Sequence, residues 1–382
     1  MATFTQPRAA PLSTPPPTPR NLRVNVETIS DHHFEFIDME NTTPRKPILG
    51  QQELTPPITP TTPVKAGAHN LLSSPSLARS YISLPQEPLV HSGTFELQQV
   101  LGRGAWSTVY LASEVTSKLP RALAIKTPSH KQANAIILQE ARILTYLSKV
   151  PGEEQYLVPF HGLERTSTSL VMDALPLSLE SFARSQLVLA KENISTASRS
   201  EPIMGRASFL QHARYLINGL RWLHRNHTVH GDIKPANILL PHTSSLAPLY
   251  CDFSSARVLS ESSECAALPT DALTLSYASP ELLASYRTGG VPTFASDVYA
   301  LAVTLVALAT GEDPYAGVNS HMKLLMAKEG YVLDAVRNGA HALRVKKGGA
   351  VERLVAGALE KKAHVRWSAD EWSEVVELLM KE

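Results

Sequence analysis

The chain changes texture near residue 90, and that break limits where a packed core can form. Fifteen of the 28 prolines fall in the first 90 of its 382 residues, with Ser and Thr crowded around them. Such a segment buries too little apolar area to offset the entropy lost on folding, so residues 1–90 are expected to form a disordered tail. Within it, Asn21 to Ile37 is less polar and includes Arg23-Val24-Asn25-Val26 and Phe34-Glu35-Phe36. That alternation suits either a strand added to a partner's sheet edge or a slightly sticky piece of tail.

After residue 90 the pattern is globular. Phe95 to Leu101, Val109 to Ala112 and Ala122 to Lys126 read as strands. Asn134 to Leu147 carries Ile136, Ile137, Ala141, Leu144 and Leu147 at helical spacing. Helical patterns follow at Phe209–His224, Ser296–Thr310, Ala350–Lys361 and Ala369–Lys381, and the polar stretch Leu187 to Gly205 reads as an insert loop between helices. Strands first and helices afterwards predict an α+β, bilobal domain over residues 91–382. A small β-rich lobe is expected over about 91–173 and a larger helical lobe over about 174–382.

Charge and cysteine content narrow the setting. Lys plus Arg is 36 and Asp plus Glu is 35, so no basic excess points to a nucleic-acid or membrane partner. Two cysteines make neither a disulfide framework nor a zinc site, which favours a reducing compartment. No apolar signal segment opens the chain, and the apolar run Val298 to Thr310 is too short to span a bilayer. A cytoplasmic and/or nuclear protein is expected.

The chemistry starts at Leu101-Gly-Arg-Gly-Ala-Trp-Ser-Thr-Val-Tyr110. Gly102 and Gly104 allow the backbone to come close to phosphate and to turn without a Cβ. A dinucleotide-binding loop runs from strand to helix, whereas strands flank this loop on both sides. Lys126 closes an apolar strand, where its ammonium can point into a cleft. Glu140, on the following helix, is the carboxylate suited to hold it. The strongest signal is His230-Gly-Asp-Ile-Lys-Pro-Ala-Asn-Ile-Leu-Leu240, and fifteen residues after Asn237 stands Asp252, in Leu249-Tyr-Cys-Asp-Phe-Ser254. Then comes Thr274-Leu-Ser-Tyr-Ala-Ser-Pro-Glu281.

In this order and spacing, the segments resemble the eukaryotic protein kinases of Ser/Thr type over about residues 95 to 380. The resemblance implies an ATP- and magnesium-dependent enzyme that phosphorylates Ser/Thr hydroxyls of protein substrates. It makes Asp232 the acceptor of the attacking hydroxyl's proton and Lys234 the cation that steadies the transferring phosphoryl group. It makes Asn237 and Asp252 the magnesium ligands. It places ATP under Leu101, Gly102, Arg103, Gly104, Ala105, Trp106 and Ser107. Lys126 and Glu140 would orient the phosphates. Val109, Ala124 and Leu239 would enclose the adenine, with Met172 at the back of its pocket. It also implies that Thr274 bonds Asp232 and Lys234, that Glu281 pairs with Arg366, and that Asp297 bonds the catalytic-loop backbone. Phe253 is expected to stack with His230 and Leu144.

Four positions depart from the family pattern: Ser107 for the third glycine, Ser254 for the glycine after Asp-Phe, Ser279 for an alanine and Gly231 for an arginine. That arginine grips a phosphate on the activation segment in the family, so its absence implies a domain competent without such phosphorylation. His-Gly-Asp is also the signature of aminoglycoside and choline phosphotransferases, which share the fold and act on small molecules. A catalytically weak pseudokinase scaffold is the third reading. In the tail, Ser74-Pro75 and Thr-Pro pairs at Thr14, Thr18, Thr43, Thr55, Thr59 and Thr62 are candidate sites for proline-directed kinases.

Overall fold

A computed structural model of the chain describes residues 84–115, 121–192, 199–242, 247–259, 274–285 and 288–382. The tail readings above, up to residue 83, lie outside the described residues.

Three strands open the fold: β1 (Phe95–Arg103), β2 (Ser107–Glu114) and β3 (Ala122–Pro128). Helices α1 (Asn134–Leu147) and α2 (Glu153–Tyr156) follow, then β4 (Phe160–Glu164) and β5 (Ser169–Asp173). The five strands form one antiparallel sheet in the order β1-β2-β3-β5-β4. Its register sets Val109 opposite Lys126 and Ala124 opposite Met172. Helix α1 buries Ile137, Ala141, Leu144 and Leu147, the face its spacing predicts. It also buries Glu140, and a buried carboxylate requires a partner.

The remaining elements are mostly helical. They are β6 (Leu177–Ser178), α3 (Leu179–Glu192), α4 (Arg206–Arg225), β7 (Thr228–Val229), β8 (Ile238–Leu240), β9 (Leu249–Tyr250) and β10 (Arg257–Val258). Helices α5 (Pro280–Ser285), α6 (Phe294–Thr310), α7 (Ser320–Glu329), α8 (Val332–Arg337), α9 (Ala350–Val355) and α10 (Ala369–Met380) complete the chain. Every residue of α6 from Ser296 to Thr310 is buried, which explains its nearly continuous apolar sequence. A reciprocal Thr293–Ser296 cap starts α6, and Gly311, at φ +88°, ends it. No helix among the described residues is long and apolar enough to cross a membrane.

Three boundaries differ from expectation. Residues 84–90, expected as tail, belong to the small lobe. Leu163 N donates to Leu89 O (2.7 Å), His91 N to Leu163 O (3.0 Å) and Leu89 N to Thr145 Oγ1 (2.8 Å). The strip is held by the main chain along the β4 edge, which its proline-rich composition does not reveal. Leu187 to Glu192, expected as loop, continues α3. Helix α9 stops at Val355 rather than Lys361. Gly357 packs so tightly on the Trp367 ring that a Cβ there would come within 2.1 Å of it, and Gly357 O accepts the Trp367 N–H.

Candidate active site

The loop between β7 and β8 is fixed from below. Asp297, in the first turn of α6, accepts the N–H of His230 at 2.7 Å and that of Gly231 at 2.9 Å. His224 Nε2 lies 3.3 Å from the same carboxylate. These contacts satisfy a carboxylate that is 1% exposed, and they pin the loop to the most buried helix. The His230 ring packs on Phe253, with centroids 4.7 Å apart. Its Nε2 faces Cys251 O at 3.1 Å and its Nδ1 accepts Asp232 N–H, so Nε2 carries the proton.

Three groups converge on the Asp232 carboxylate. Lys234 Nζ donates to it at 2.7 Å, Asn237 Nδ2 at 3.0 Å and Thr274 Oγ1 at 3.1 Å. Thr274 Oγ1 also accepts from Lys234 at 2.9 Å. The 3₁₀ turn Pro235–Asn237 brings Asn237 back beside Asp232, where its Nδ2 also donates to Asp232 O. With Nδ2 so engaged, the Asn237 amide oxygen is the atom left to meet a cation.

Lys126 is buried between two carboxylates. Its Nζ lies 2.8 and 2.7 Å from the Glu140 oxygens and 2.6 Å from Asp252 Oδ1. Burial alone would favour the neutral amine. The charges of Asp252 and Glu140 reverse this and hold Lys126 protonated above the usual lysine range. Burial likewise opposes ionisation of Asp252, but the Lys126 charge and hydrogen bond draw its pKa well below the carboxylate norm. For Glu140, burial outweighs the help of Lys126, and its pKa stays above the usual range. One ammonium thus faces two carboxylates. Phe253 N–H also donates to Glu140, at 3.0 Å.

Asp252 has φ +62°, a left-handed conformation uncommon for a non-glycine residue. Strain of this kind is concentrated at functional sites. Gly231, at φ +82°, lies against the Ser255 backbone, where a Cβ would come within 2.4 Å of the carbonyl oxygen.

The other expected residues distribute as follows. Leu101 to Ser107 span the end of β1, the turn and the start of β2, and Gly104 N–H closes that turn on Ser107 O at 2.8 Å. Val109 lies on β2, Ala124 on β3, Met172 on β5 and Leu239 on β8. Glu281 accepts both Arg366 terminal nitrogens, at 2.8 and 3.1 Å, and the guanidinium lies over Tyr299. Two networks had no sequence signal. Arg121 and His161 both hold Asp173 at the end of β5. Ser276 and Lys323 both hold Asp313 beside the activation segment. In each, the partners come from distant stretches of chain and no local pattern marks them.

A family profile described as "Protein kinase domain" matches residues 95–376. The chain belongs to the protein kinase family. Among curated proteins, it is similar to serine/threonine-protein kinase ISR1 of Eremothecium gossypii, 29% identical over 238 residues, covering 58% of this chain and 59% of that protein. It is also similar to ISR1 of Saccharomyces cerevisiae, 28% identical over 273 residues, covering 64% of this chain and 54% of that protein. Serine/threonine-protein kinase PrkC of Bacillus subtilis is 26% identical over 228 residues, covering 59% of this chain and 32% of that protein. The chain thus spans little more than half the length of the two ISR1 proteins. Membership in the family, and likeness to kinases of Ser/Thr type, agree with the bilobal α+β expectation.

Proposed function

We propose that the chain transfers the γ-phosphoryl group of ATP to Ser/Thr hydroxyls of protein substrates, with magnesium. The observation that carries this reading is the contact of Lys126 with both Glu140 and Asp252, beside an Asp232 already held by Lys234, Asn237 and Thr274. A structural ion pair alone does not require a second, strained carboxylate on the same ammonium.

Asp232 takes the role of orienting the acceptor hydroxyl and receiving its proton. Lys234 stands within reach of the same carboxylate and offers positive charge where it develops during transfer. Thr274 ties the activation segment to both groups, so the segment that receives substrate is set against the proton acceptor. Lys126, fixed by Glu140, orients the ATP phosphates beneath Gly102 to Ser107. Val109, Ala124, Leu239 and Met172 supply the apolar walls for the base. Asp252 and the Asn237 amide oxygen form a donor set of hard oxygens suited to magnesium, and the readily ionised Asp252 carboxylate favours a cation there. Bound there, the metal supplies charge neutralisation for the phosphates.

Gly231 supports a phosphorylation-independent ground state. No side chain there can grip a segment phosphate. The tail Thr-Pro sites are proposed as targets of proline-directed kinases. Two cysteines, with Cys251 free, support a reducing compartment, the cytoplasm or nucleus.

The test is phosphotransfer from labelled ATP to a generic Ser/Thr peptide mixture. The purified chain is compared with Lys126→Met and Asp232→Asn. Transfer that needs magnesium and disappears in both variants is expected. Near-normal rates in either variant refute the assignment.

A further inference from the structure

The turn over the expected phosphate site is held by a contact outside the cleft. Strand β1 exposes most of its side chains, so its hold on the turn rests on the backbone ladder to β2, which pairs Gly102 with Val109 and Arg103 with Thr108. Beyond the turn, the β2–β3 ladder pairs Thr108 with Thr127 and Ser107 with Pro128. It gains one further rung, in which Ser129 N–H donates to Trp106 O at 2.9 Å. At the same place the Trp106 ring meets the His130 ring, with centroids 5.7 Å apart and planes at 59°. This is an edge-tilted aromatic pair, the favourable arrangement for two ring quadrupoles.

His130 is itself fixed. It precedes the 3₁₀ turn Lys131–Ala133, and its carbonyl accepts Ala133 N–H at 2.9 Å. That turn runs directly into α1, which carries Glu140. The segment bearing His130 therefore joins the strand of Lys126 to the helix of Glu140. Its own side chain is exposed and has no part in the catalytic contacts described above.

We propose that Trp106 and His130 form a latch that sets the glycine-rich turn at its height over the nucleotide, which makes His130 a positioning residue for ATP. The inference rests on the kinase reading above. The two rings bridge the turn and the β3–α1 connection, the two parts of the small lobe that must stay in register for a triphosphate to meet the turn and Lys126 together. Loss of the His130 ring removes the side-chain part of that hold and leaves the backbone bond from Ser129 to Trp106, so the turn tip is loosened. It leaves Asp232, Lys234, Asn237 and Asp252 where they are. The effect therefore falls on ATP affinity more than on the chemical step.

The test compares the full chain with His130→Ala, His130→Phe, Trp106→Ala and the double variant His130→Ala/Trp106→Ala. KM for ATP, kcat and melting temperature are measured for each. In His130→Ala, KM for ATP is expected to rise about two- to tenfold, the range set by aromatic pairs, with a smaller change in kcat. His130→Phe, which keeps a ring, is expected to stay within about twofold of the parent. The double variant is expected to be no worse than Trp106→Ala alone, because a single contact is being removed. An unchanged KM in His130→Ala overturns the latch, as does equal impairment of His130→Ala and His130→Phe, or full additivity in the double variant. A parent chain with no ATP-dependent transfer and no ATP binding overturns the kinase reading and the latch with it. An active parent beside an indifferent His130→Ala sinks the latch alone.

Discussion

A Cβ added at position 231 would meet the Ser255 carbonyl oxygen at 2.4 Å, on a backbone at φ +82°. The glycine there is required by its own surroundings, whatever the neighbouring Asp232 does. Gly231→Ala is therefore expected to cost about 1–3 kcal/mol of stability, read as a shift in the urea midpoint, and to lower kcat by moving the loop. At Lys126 the expectation combines chemistry and charge. Lys126→Met should reduce kcat by roughly two to four powers of ten, measured by labelled phosphate transfer. It also leaves Glu140 and Asp252 facing each other without a cation. Their pKa values then rise above those of the unfolded chain, so the folded state binds protons more tightly. Stability of the variant should increase as pH falls from neutrality through those raised values, whereas the parent has Lys126 to hold Asp252 ionised. Thermal melts at several pH values read this directly.

Between elements, buried and exposed ion pairs should behave differently. Arg366 has no exposed side-chain surface and bridges Glu281 of α5, the Ala295 carbonyl in the first turn of α6, and the Tyr299 face. Arg366→Ala is expected to cost about 3 kcal/mol, because it orphans a partly buried carboxylate and backbone acceptors. Burial opposes ionisation of Glu281, but Arg366 overrides it and lowers the pKa. The pair's contribution is thus complete above the ordinary glutamate value and fades as pH falls below it, so Glu281→Gln should flatten the acid side of the stability curve. Asp370 of α10 is half exposed and meets Arg221 and Arg225 of α4. Asp370→Ala should change stability by no more than about 1 kcal/mol, and less still in high salt. The sequence showed the buried pair only because the family resemblance implies a partner for each of its members. It hid the strip 84–90, whose binding to β4 uses backbone atoms common to every residue. It overran α9 because apolar periodicity continues past Val355, where Gly357 meets Trp367 just beyond the end of the helix. The Trp106–His130 contact escaped for a similar reason: neither residue has a preference that names the other.

Across the whole molecule, the site gathers residues far apart in sequence. Lys126 and Asp252 are 126 positions apart, and Thr274 reaches back 42 positions to Asp232. These contacts were legible because family spacing encodes them, while networks such as Ser276–Asp313–Lys323 follow only from the folded chain. If the site is preset in this way, phosphatase-treated protein should retain most of its transfer rate. A complete loss would place the missing control in a phosphate on the activation segment.

The two amides that Asp297 receives also have a kinetic meaning. Helix α6 is buried from Ser296 to Thr310 and His230 is buried against it, so the proton on His230 N has solvent access only when the centre of the molecule comes apart, whereas Gly231, partly exposed, is less protected. In deuterium, the His230 amide should be among the last signals to fade, and that of Gly231 should exchange sooner. Segments that open at lower free energy are then the ones expected to move first, while the floor beneath Asp232 stays standing.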